Sequence, residues 1–458
     1  MTSSSSSDIT ASAVVGTVFV GVAGFLIITN MSRILGRATT SFYYGKNSIR
    51  LRTKEGEETS LAGLCKSVLP SCRLNPFLFN GHLQTIWTVL KSKSSPIYYK
   101  RWLFEQEDPA YPGTFAVDFV VKPYEPKDTI LPRTTNFTND DFRNIGSDDS
   151  KPMLVCLHGL SGGSYELYLR SVLAPLVTEE GGWEACVVNS RGCAKSKITT
   201  PVLFNARSTW DLRQTVQWLR ETFPNRPLYG VGFSLGANIL TNYLGEEGAD
   251  CQFKAAVALS NPWALDVSNA GLQSTWFRRN VYSRAMGTNL KKLYGYHKEM
   301  ILKNSAIDAQ EVEKVQFLHE FDRAIQCPTW GYPTEQAYYR DASSTDSVLA
   351  IRVPFLAISA EDDPIVWDAA IPRQEFLQTP YGVLCTTSLG GHLSWFKRGG
   401  GRWMADATTA FFQKMARDVD QEHYSKKHPL PEGEITTAKR DAVKPWFDPM
   451  RRRMHVSA

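Results

Sequence analysis

Three side chains in this 458-residue sequence have the types and the order that nucleophilic acyl chemistry requires. Ser234 lies between glycines in GFSLG, Asp363 ends the carboxylate run in AEDD, and His392 follows two glycines in LGGH. A serine hydroxyl attacks a carbonyl carbon only when an imidazole takes its proton, and a carboxylate must fix that imidazole's tautomer. We therefore predict Ser234 as the nucleophile, His392 as the general base and Asp363 as the acid.

Two of these assignments have a competitor in the sequence. Asp362 directly precedes Asp363, but Asp363 stands before Pro364 in the D-x-I-V pattern typical of such an acid. Asp362 is then expected to be a solvated neighbour. His392 follows the carboxylates at a strand end, whereas every later histidine lies in the charged tail, and His158 is expected to shape a loop.

The glycines around Ser234 also come close to the G-x-G-x-x-G pattern of dinucleotide-binding loops. Gly230 and Gly232 fill its first two positions, but Leu235 occupies the third. That fingerprint normally opens the first βαβ unit of its sheet, and here at least three strand candidates come earlier. The sequence therefore favours a nucleophilic serine over a nucleotide site, and no organic cofactor is implied.

A sharp turn from strand to helix is predicted at Ser234, because apolar LYGV precedes it and a helical pattern follows. In such a turn, flanking glycines avoid collisions with the neighbouring strand and helix. Upstream, HGL at 158–160 ends another strand and enters a glycine-rich loop. We therefore predict that the amides of Leu160 and Leu235 form the oxyanion hole, aided by the positive end of the helix behind Ser234.

Short β-branched runs alternate with amphipathic helical patterns between residues 60 and 418, which we assign to one domain. The strand candidates are residues 115–121, 153–157, 185–189, 228–232, 255–259, 354–359 and 383–387. This alternation predicts an α/β fold with a mostly parallel central sheet and helices on both faces. Residues 262–350 are expected to form a helical lid whose aromatics in part line an acyl-chain cleft. The polar residues 124–151 are expected to form a surface loop.

The composition narrows the range of partners. The formal net charge is +5, from 51 Lys+Arg against 46 Asp+Glu, which is a small excess that argues against a nucleic-acid partner. The eight cysteines show no C-x-x-C spacing, and no pair of histidines has the spacing that is typical of zinc ligands. We expect reduced thiols packed in the core, and no metal is implied.

The N-terminal segment, residues 1–59, contains a charge-free apolar run at residues 13–29. As a helix this run would be about 25 Å long, at the short end of what crosses a bilayer. We expect it to anchor the protein in a membrane, that of the endoplasmic reticulum or a lipid droplet. Basic residues after the run favour a cytosolic body, although the orientation stays open. Residues 419–458 are expected to be a charged tail.

Over about residues 60–418 the chain resembles the YheT/ABHD-type branch of the AB-hydrolase superfamily. The matching stretches are NPFLFNGHLQTIW at 75–87, LHGLSGGSYELYLR at 157–170, NSRGCAKS at 189–196, GFSLGANILTNYLGEE at 232–247, YYRDASS at 338–344, AEDDPIV at 360–366 and GGHLSWF at 390–396. The resemblance implies an α/β-hydrolase fold and the same roles for Ser234, Asp363 and His392. It also implies an esterase or acylglycerol lipase, with acyl transfer to an alcohol as a related activity.

These observations predict a serine hydrolase of lipid-like carboxylic esters, such as monoacylglycerols or medium-chain acyl esters. An anchor and an aromatic lid favour a substrate delivered from a bilayer over a soluble metabolite. The alternative is a non-catalytic, membrane-anchored ligand-binding or scaffold protein on a hydrolase fold. Such proteins usually lack a member of the triad, and this sequence has all three. The acyl-chain length, the head group and the oligomeric state stay open.

Overall fold

The computed structural model describes residues 35–90, 96–125, 131, 133–420 and 448–450. Twelve strands lie in these ranges, and ten of them form one sheet. The strands are β1 Thr40–Tyr43, β2 Arg50–Arg52, β3 Glu58–Ser60, β4 Tyr98–Glu105, β5 Thr114–Val121, β6 Thr134–Asn136, β7 Met153–Leu157, β8 Glu184–Asn189, β9 Leu228–Phe233, β10 Phe253–Leu259, β11 Phe355–Ala360 and β12 Gly382–Thr387.

The order across the large sheet is β1-β12-β11-β10-β9-β7-β8-β5-β4-β6, and β2 pairs with β3 separately. The six central strands from β12 to β8 are all parallel to their neighbours. Antiparallel pairing occurs towards the two edges, where β1 joins β12, β5 joins β8 and β4 joins β5. The predicted α/β fold with a mostly parallel sheet is confirmed.

Both faces of the central sheet are covered. Every residue of β7, β9, β11 and β12 is buried, and a strand whose alternate residues are all buried has cover on each side. The α-helices are α1 Leu61–Val68, α2 Gly81–Leu90, α3 Asn139–Arg143, α4 Leu167–Leu176, α5 Trp210–Thr222, α6 Leu235–Glu247, α7 Leu265–Gln273, α8 Arg284–Ile301, α9 Ala309–Lys314, α10 Leu318–Phe321, α11 Cys327–Trp330, α12 Glu335–Ala342, α13 Arg373–Gln378 and α14 Trp403–Arg417. The π-helices are Arg278–Ser283 and Asp322–Gln326, and the 3₁₀ helices are Gly248–Asp250, Asp346–Ala350 and Asp368–Ala370.

Each of the seven predicted strands is present with ends within two residues of the prediction. The prediction of a surface loop at 124–151 is wrong in part, because β6 extends the sheet there and α3 follows it. The edge strand β1 was also not predicted. It lies within the segment 1–59, so the central sheet begins before residue 60.

The segment 262–350 is helical from α7 to the 3₁₀ helix that ends at Ala350. Its residues Leu290, Tyr294, Phe321 and Ile325 are buried in a second, smaller core, which residues 193–204 of the loop after β8 complete. All eight cysteines lie in the described ranges, none is in a disulfide, and seven are buried.

The chain ends are only partly covered by the structure. Val419, the first residue of the predicted tail, is buried and pairs with Thr53, whereas residues 421–447 and 451–458 lie outside the described ranges. The run at 13–29, predicted as a membrane anchor, also lies outside them. Among the helices of the described ranges, none combines the length and the apolar character that crossing a bilayer requires.

Candidate active site

Ser234 stands at the sharp turn between β9 and α6, as its sequence predicts. Its backbone has φ 53° and ψ −119°, a left-handed conformation that costs a non-glycine residue about 1–3 kcal/mol. The turn is fixed by three hydrogen bonds: the Ser234 amide donates to the Leu259 carbonyl at 2.8 Å, and the amides of Ala237 and Asn238 donate to the Ser234 carbonyl at 2.9 and 3.1 Å. A Cβ on Gly232 would lie 2.5 Å from the Gly236 carbonyl oxygen, so glycine is required there. The half-buried hydroxyl is presented to a pocket.

The three predicted side chains meet in one hydrogen-bonded chain. The amides of Ile365 and Val366 donate to Asp363 Oδ1, at 2.8 and 2.9 Å, and Asp363 Oδ2 lies 2.8 Å from His392 Nδ1. Because an ionised carboxylate only accepts, Nδ1 carries the imidazole proton. Nε2 is then the acceptor that faces the Ser234 hydroxyl at 2.9 Å. This is the arrangement in which an imidazole can remove the hydroxyl proton.

The loop that carries His392 is held from two sides. Asp362 is half-buried rather than solvated as expected, and its Oδ1 accepts a hydrogen bond from the Gly391 amide at 3.0 Å. The His392 amide donates to Thr85 Oγ1 at 2.9 Å, and the Thr85 hydroxyl donates to the Gly81 carbonyl at 2.7 Å. Helix α2, far away in sequence, therefore positions the histidine.

The loop after β7 lies directly beside Ser234. A Cβ on Gly159 would approach the Ser234 Cβ to 3.3 Å, and the Gly159 amide donates to the Tyr168 hydroxyl at 2.8 Å. Leu160 follows in this loop, and Leu235 is the first residue of α6, where amides have no intrahelical partner. Both leucines line a pocket together with Ser234. Their assignment to an oxyanion hole stays a prediction.

His158 joins this loop to the loop after β8. The Ser190 amide donates to His158 Nε2 at 3.1 Å, so Nδ1 carries the proton and donates to the Gly159 carbonyl at 2.7 Å. Burial lowers the pKa of His158 to about 4. The imidazole is therefore neutral in the folded protein, which agrees with a loop-shaping residue.

This burial predicts a pH dependence of stability. The imidazole has a pKa near 6.5 in the unfolded state, above its pKa in the folded state. As the pH falls, the unfolded state therefore binds a proton that the folded state does not, and the folded state loses stability. From pH 7 to pH 5, the unfolding free energy of the wild type should therefore decrease by roughly 2 kcal/mol more than that of His158→Asn. Urea unfolding of both proteins at the two pH values measures the difference, and parallel pH profiles would contradict it.

Two pockets meet at Ser234 and share Leu160, Met286 and Ile365 as walls. The outer pocket is open, with a volume of about 550 Å³, and has polar lining residues that include Glu166, Lys195, Asn289 and Lys292. The inner pocket is narrower, about 90 Å³, and enters the helical segment 262–350 between mainly apolar residues that include Phe204, Leu235, Leu265, Leu272, Leu290 and Leu318. An ester bound at Ser234 would have one side in each pocket.

The sequence analysis missed a buried ion pair that supports the glycine-rich loop. Arg101 Nε donates to Asp118 Oδ1 at 2.6 Å, and the Ser164 hydroxyl and Asn189 amide donate to Asp118 Oδ2 at 2.6 and 2.9 Å. Arg101 also donates to the Ala194 carbonyl at 2.8 Å. The signal was a lone charge, Asp118, inside the apolar run FAVDFVV, because a buried carboxylate needs partners.

No group of three or more potential metal ligands occurs among the residues that the structure describes. The side chains gathered at Ser234 instead suit acyl transfer: a hydroxyl, an imidazole with its proton on the far nitrogen, a carboxylate behind it, and free space in front.

Comparison with known proteins agrees with the fold and adds relatives. A family model described as "alpha/beta hydrolase fold" matches residues 152–393. The chain is similar to a monoacylglycerol lipase of Saccharomyces cerevisiae, at 36% identity over 79% of this chain and 86% of that one. It is also similar to medium-chain fatty acid ethyl ester synthase/esterase 2 of the same yeast, at 31% identity over 82% and 94%, and to human phospholipase ABHD3, at 26% over 82% and 87%. The chain therefore belongs to the α/β-hydrolase family.

Proposed function

We propose that this protein is a serine hydrolase that cleaves lipid-like carboxylic esters, monoacylglycerols or medium-chain acyl esters. The observation that carries the proposal is the hydrogen-bonded chain from Asp363 through His392 to Ser234 at the junction of two pockets. The relatives are named for the cleavage or synthesis of fatty acyl esters, which supports this class of substrate.

In the first half of the reaction, Ser234 Oγ attacks the ester carbonyl carbon while its proton passes to His392 Nε2. Asp363 stabilises the resulting imidazolium through Nδ1. The carbonyl oxygen becomes an oxyanion, and we assign its stabilisation to the amides of Leu160 and Leu235 and to the N-terminus of α6. The tetrahedral intermediate then collapses, the bond to the alcohol oxygen breaks, and the alcohol leaves with the proton from Nε2.

In the second half, a water molecule attacks the acyl-enzyme while His392 Nε2 takes one of its protons. The acid leaves, and the proton returns to Ser234. An alcohol in place of water would give a new ester by the same steps, so hydrolysis and alcoholysis share one set of residues.

The two pockets suggest where each half of the substrate binds. The apolar walls of the inner pocket suit an acyl chain, since burying each methylene there contributes about 0.8 kcal/mol. The helical segment 262–350 supplies most of these walls, and we propose that it serves as a lid over the site. The open outer pocket then receives the alcohol.

A membrane location is a further part of the proposal. The support is the charge-free run at residues 13–29, which would deliver the enzyme to lipid esters in a bilayer. Fractionation of cells tests this point: removing residues 1–34 should shift the protein from the membrane fraction to the soluble one, and an unchanged distribution would refute the anchor.

A fluorophosphonate probe tests the chemistry, because it reacts only with an activated serine. Wild-type protein is expected to be labelled and Ser234→Ala is not. Ser161 also lines the outer pocket, but His392 Nε2 faces the Ser234 hydroxyl instead, so Ser161→Ala is the matched control and should still be labelled. Folded wild-type protein that resists the probe, and does not cleave p-nitrophenyl esters from butyrate to palmitate, would indicate a non-catalytic protein.

A further inference from the structure

The inner pocket contains two buried hydrogen-bond acceptors that an acyl chain does not need. Asp322 and Gln326 line it together with the leucines named above, and they are only 6% and 3% exposed. They bound the π-helix Asp322–Gln326, an uncommon geometry that is frequent at functional sites. In a pocket of mainly aliphatic walls, such groups are costly unless something bonds to them.

Asp322 is only partly compensated by its surroundings. The Tyr339 hydroxyl donates to its Oδ2 at 2.6 Å, while the neighbouring Arg323 forms its ion pair with Glu335. Burial raises the pKa of Asp322 to about 7, and the bond from Tyr339 opposes this rise only in part. The carboxyl therefore keeps accepting capacity beyond the one bond from Tyr339.

Gln326 presents a second acceptor. Its Nε2 donates to the Phe204 carbonyl at 3.0 Å, which fixes the orientation of the amide. Its Oε1 is buried and has no hydrogen-bond partner among the residues that the structure describes. Leaving such an oxygen unsatisfied costs about 1–3 kcal/mol, a cost that a bound donor would remove.

We propose that Asp322 and Gln326 form a subsite for a hydroxyl group of the substrate, so that the enzyme prefers hydroxylated esters to plain ones. A neutral hydroxyl suits the subsite better than an ammonium group, because the apolar walls offer no solvation for a full charge. The inference rests on the proposed function, since the subsite lies in the same pocket as Ser234. With the acyl chain in the inner pocket, as proposed above, the hydroxyl belongs to the acyl chain; an ester bound in the reverse orientation would place a hydroxyl of its alcohol portion there, and both present the same donor.

Matched pairs of esters test this inference and separate the two sources. Glycerol 1-monooctanoate is compared with propyl octanoate, which has the same carbon count but no free hydroxyl. The p-nitrophenyl esters of 3-, 5- and 8-hydroxyoctanoate are compared with p-nitrophenyl octanoate. We expect kcat/KM to be at least about tenfold higher for the hydroxylated member of one pair, because one neutral hydrogen bond gained in a buried site is worth about that much.

Two variants locate the effect. Asp322→Asn replaces an acceptor with an amide that also donates, and Gln326→Met keeps the length of the side chain but removes the free oxygen. Each should reduce the ratio of kcat/KM for the hydroxylated ester to kcat/KM for the plain ester towards unity. Tyr338→Phe is the control, because the hydroxyl of Tyr338 accepts from the Ala206 amide and lies beside the same pocket; its preference should persist.

The outcomes distinguish the two proposals. Equal kcat/KM within every pair for the wild type overturns the hydroxyl subsite but leaves the ester hydrolase intact. Absence of turnover with all the esters overturns the proposed function itself. The wild-type comparison is decisive even if a variant fails to fold, which thermal unfolding of each variant would reveal.

Discussion

Asp363→Asn is expected to lower kcat by about 10,000-fold, because it would leave His392 in the wrong tautomer. The amides of Ile365 and Val366 both donate to Oδ1, so an asparagine would keep its oxygen there and point its NH₂ at His392 Nδ1. Nδ1 would then have to accept, and the proton would move to Nε2. An Nε2 that carries the proton cannot take one from Ser234.

Asp362→Asn is the matched control, since it is the same substitution one residue earlier. The new side-chain amide would keep an oxygen that can accept from the Gly391 amide, as Asp362 Oδ1 does, so kcat should stay close to the wild-type value. Initial rates with p-nitrophenyl octanoate, together with thermal unfolding of both variants, measure the contrast. If the Asp362 variant loses the larger share of activity, the acid has been assigned to the wrong carboxylate.

Gly236→Ala is expected to destabilise the protein by about 3 kcal/mol or more, the upper range for overpacking a core. A Cβ at Gly236 would lie 2.4 Å from the Leu157 carbonyl oxygen and 2.5 Å from that of His158. Both are backbone atoms of the strand and loop beside the nucleophile, so no flexible side chain can move aside. The turn between β9 and α6 would have to separate from β7, and activity should fall together with stability.

Gly295→Ala controls for the loss of a glycine as such. Gly295 lies in the middle of α8, and a Cβ there would meet nothing within 4 Å. Alanine in an exposed helix interior is favoured over glycine by about 0.8–1 kcal/mol, so this variant should be slightly more stable and fully active. Urea unfolding of both variants gives the comparison. A Gly236 variant as stable as the wild type would mean that α6 and β7 are packed less closely than the structure indicates.

The parallel core was predictable because its signal is local. Runs such as MLVCL and FLAISA are apolar throughout, as expected of strands with both faces covered. Strand β4 was not predicted, because it contains the charged residue Arg101. Its charge is balanced by Asp118 on the neighbouring strand. That partner becomes visible only once the two strands are paired.

The candidate site shows the same division between local and long-range information. Chain order and strand ends were enough to select Ser234, Asp363 and His392, which the structure brings within hydrogen-bond distance, and the glycines marked the turn at Ser234. The hydroxyl of Thr85, which holds the His392 amide, is 307 residues away in the sequence. The polar end of the inner pocket also went unpredicted, because Asp322 and Gln326 stand in an ordinary helical pattern and only the packing shows that they are buried.

The position of α2 bears on how much of this chain makes a working enzyme. Residues 152–393, which match the family model, include the proposed catalytic residues Ser234, Asp363 and His392 but exclude Gly81 and Thr85, which hold the backbone of the histidine loop. A fragment trimmed to those limits would retain all three proposed catalytic side chains yet lose the helix whose Thr85 hydroxyl holds the His392 amide. The minimal active unit therefore extends upstream at least to this helix, and truncation series or domain transplants should be planned around it.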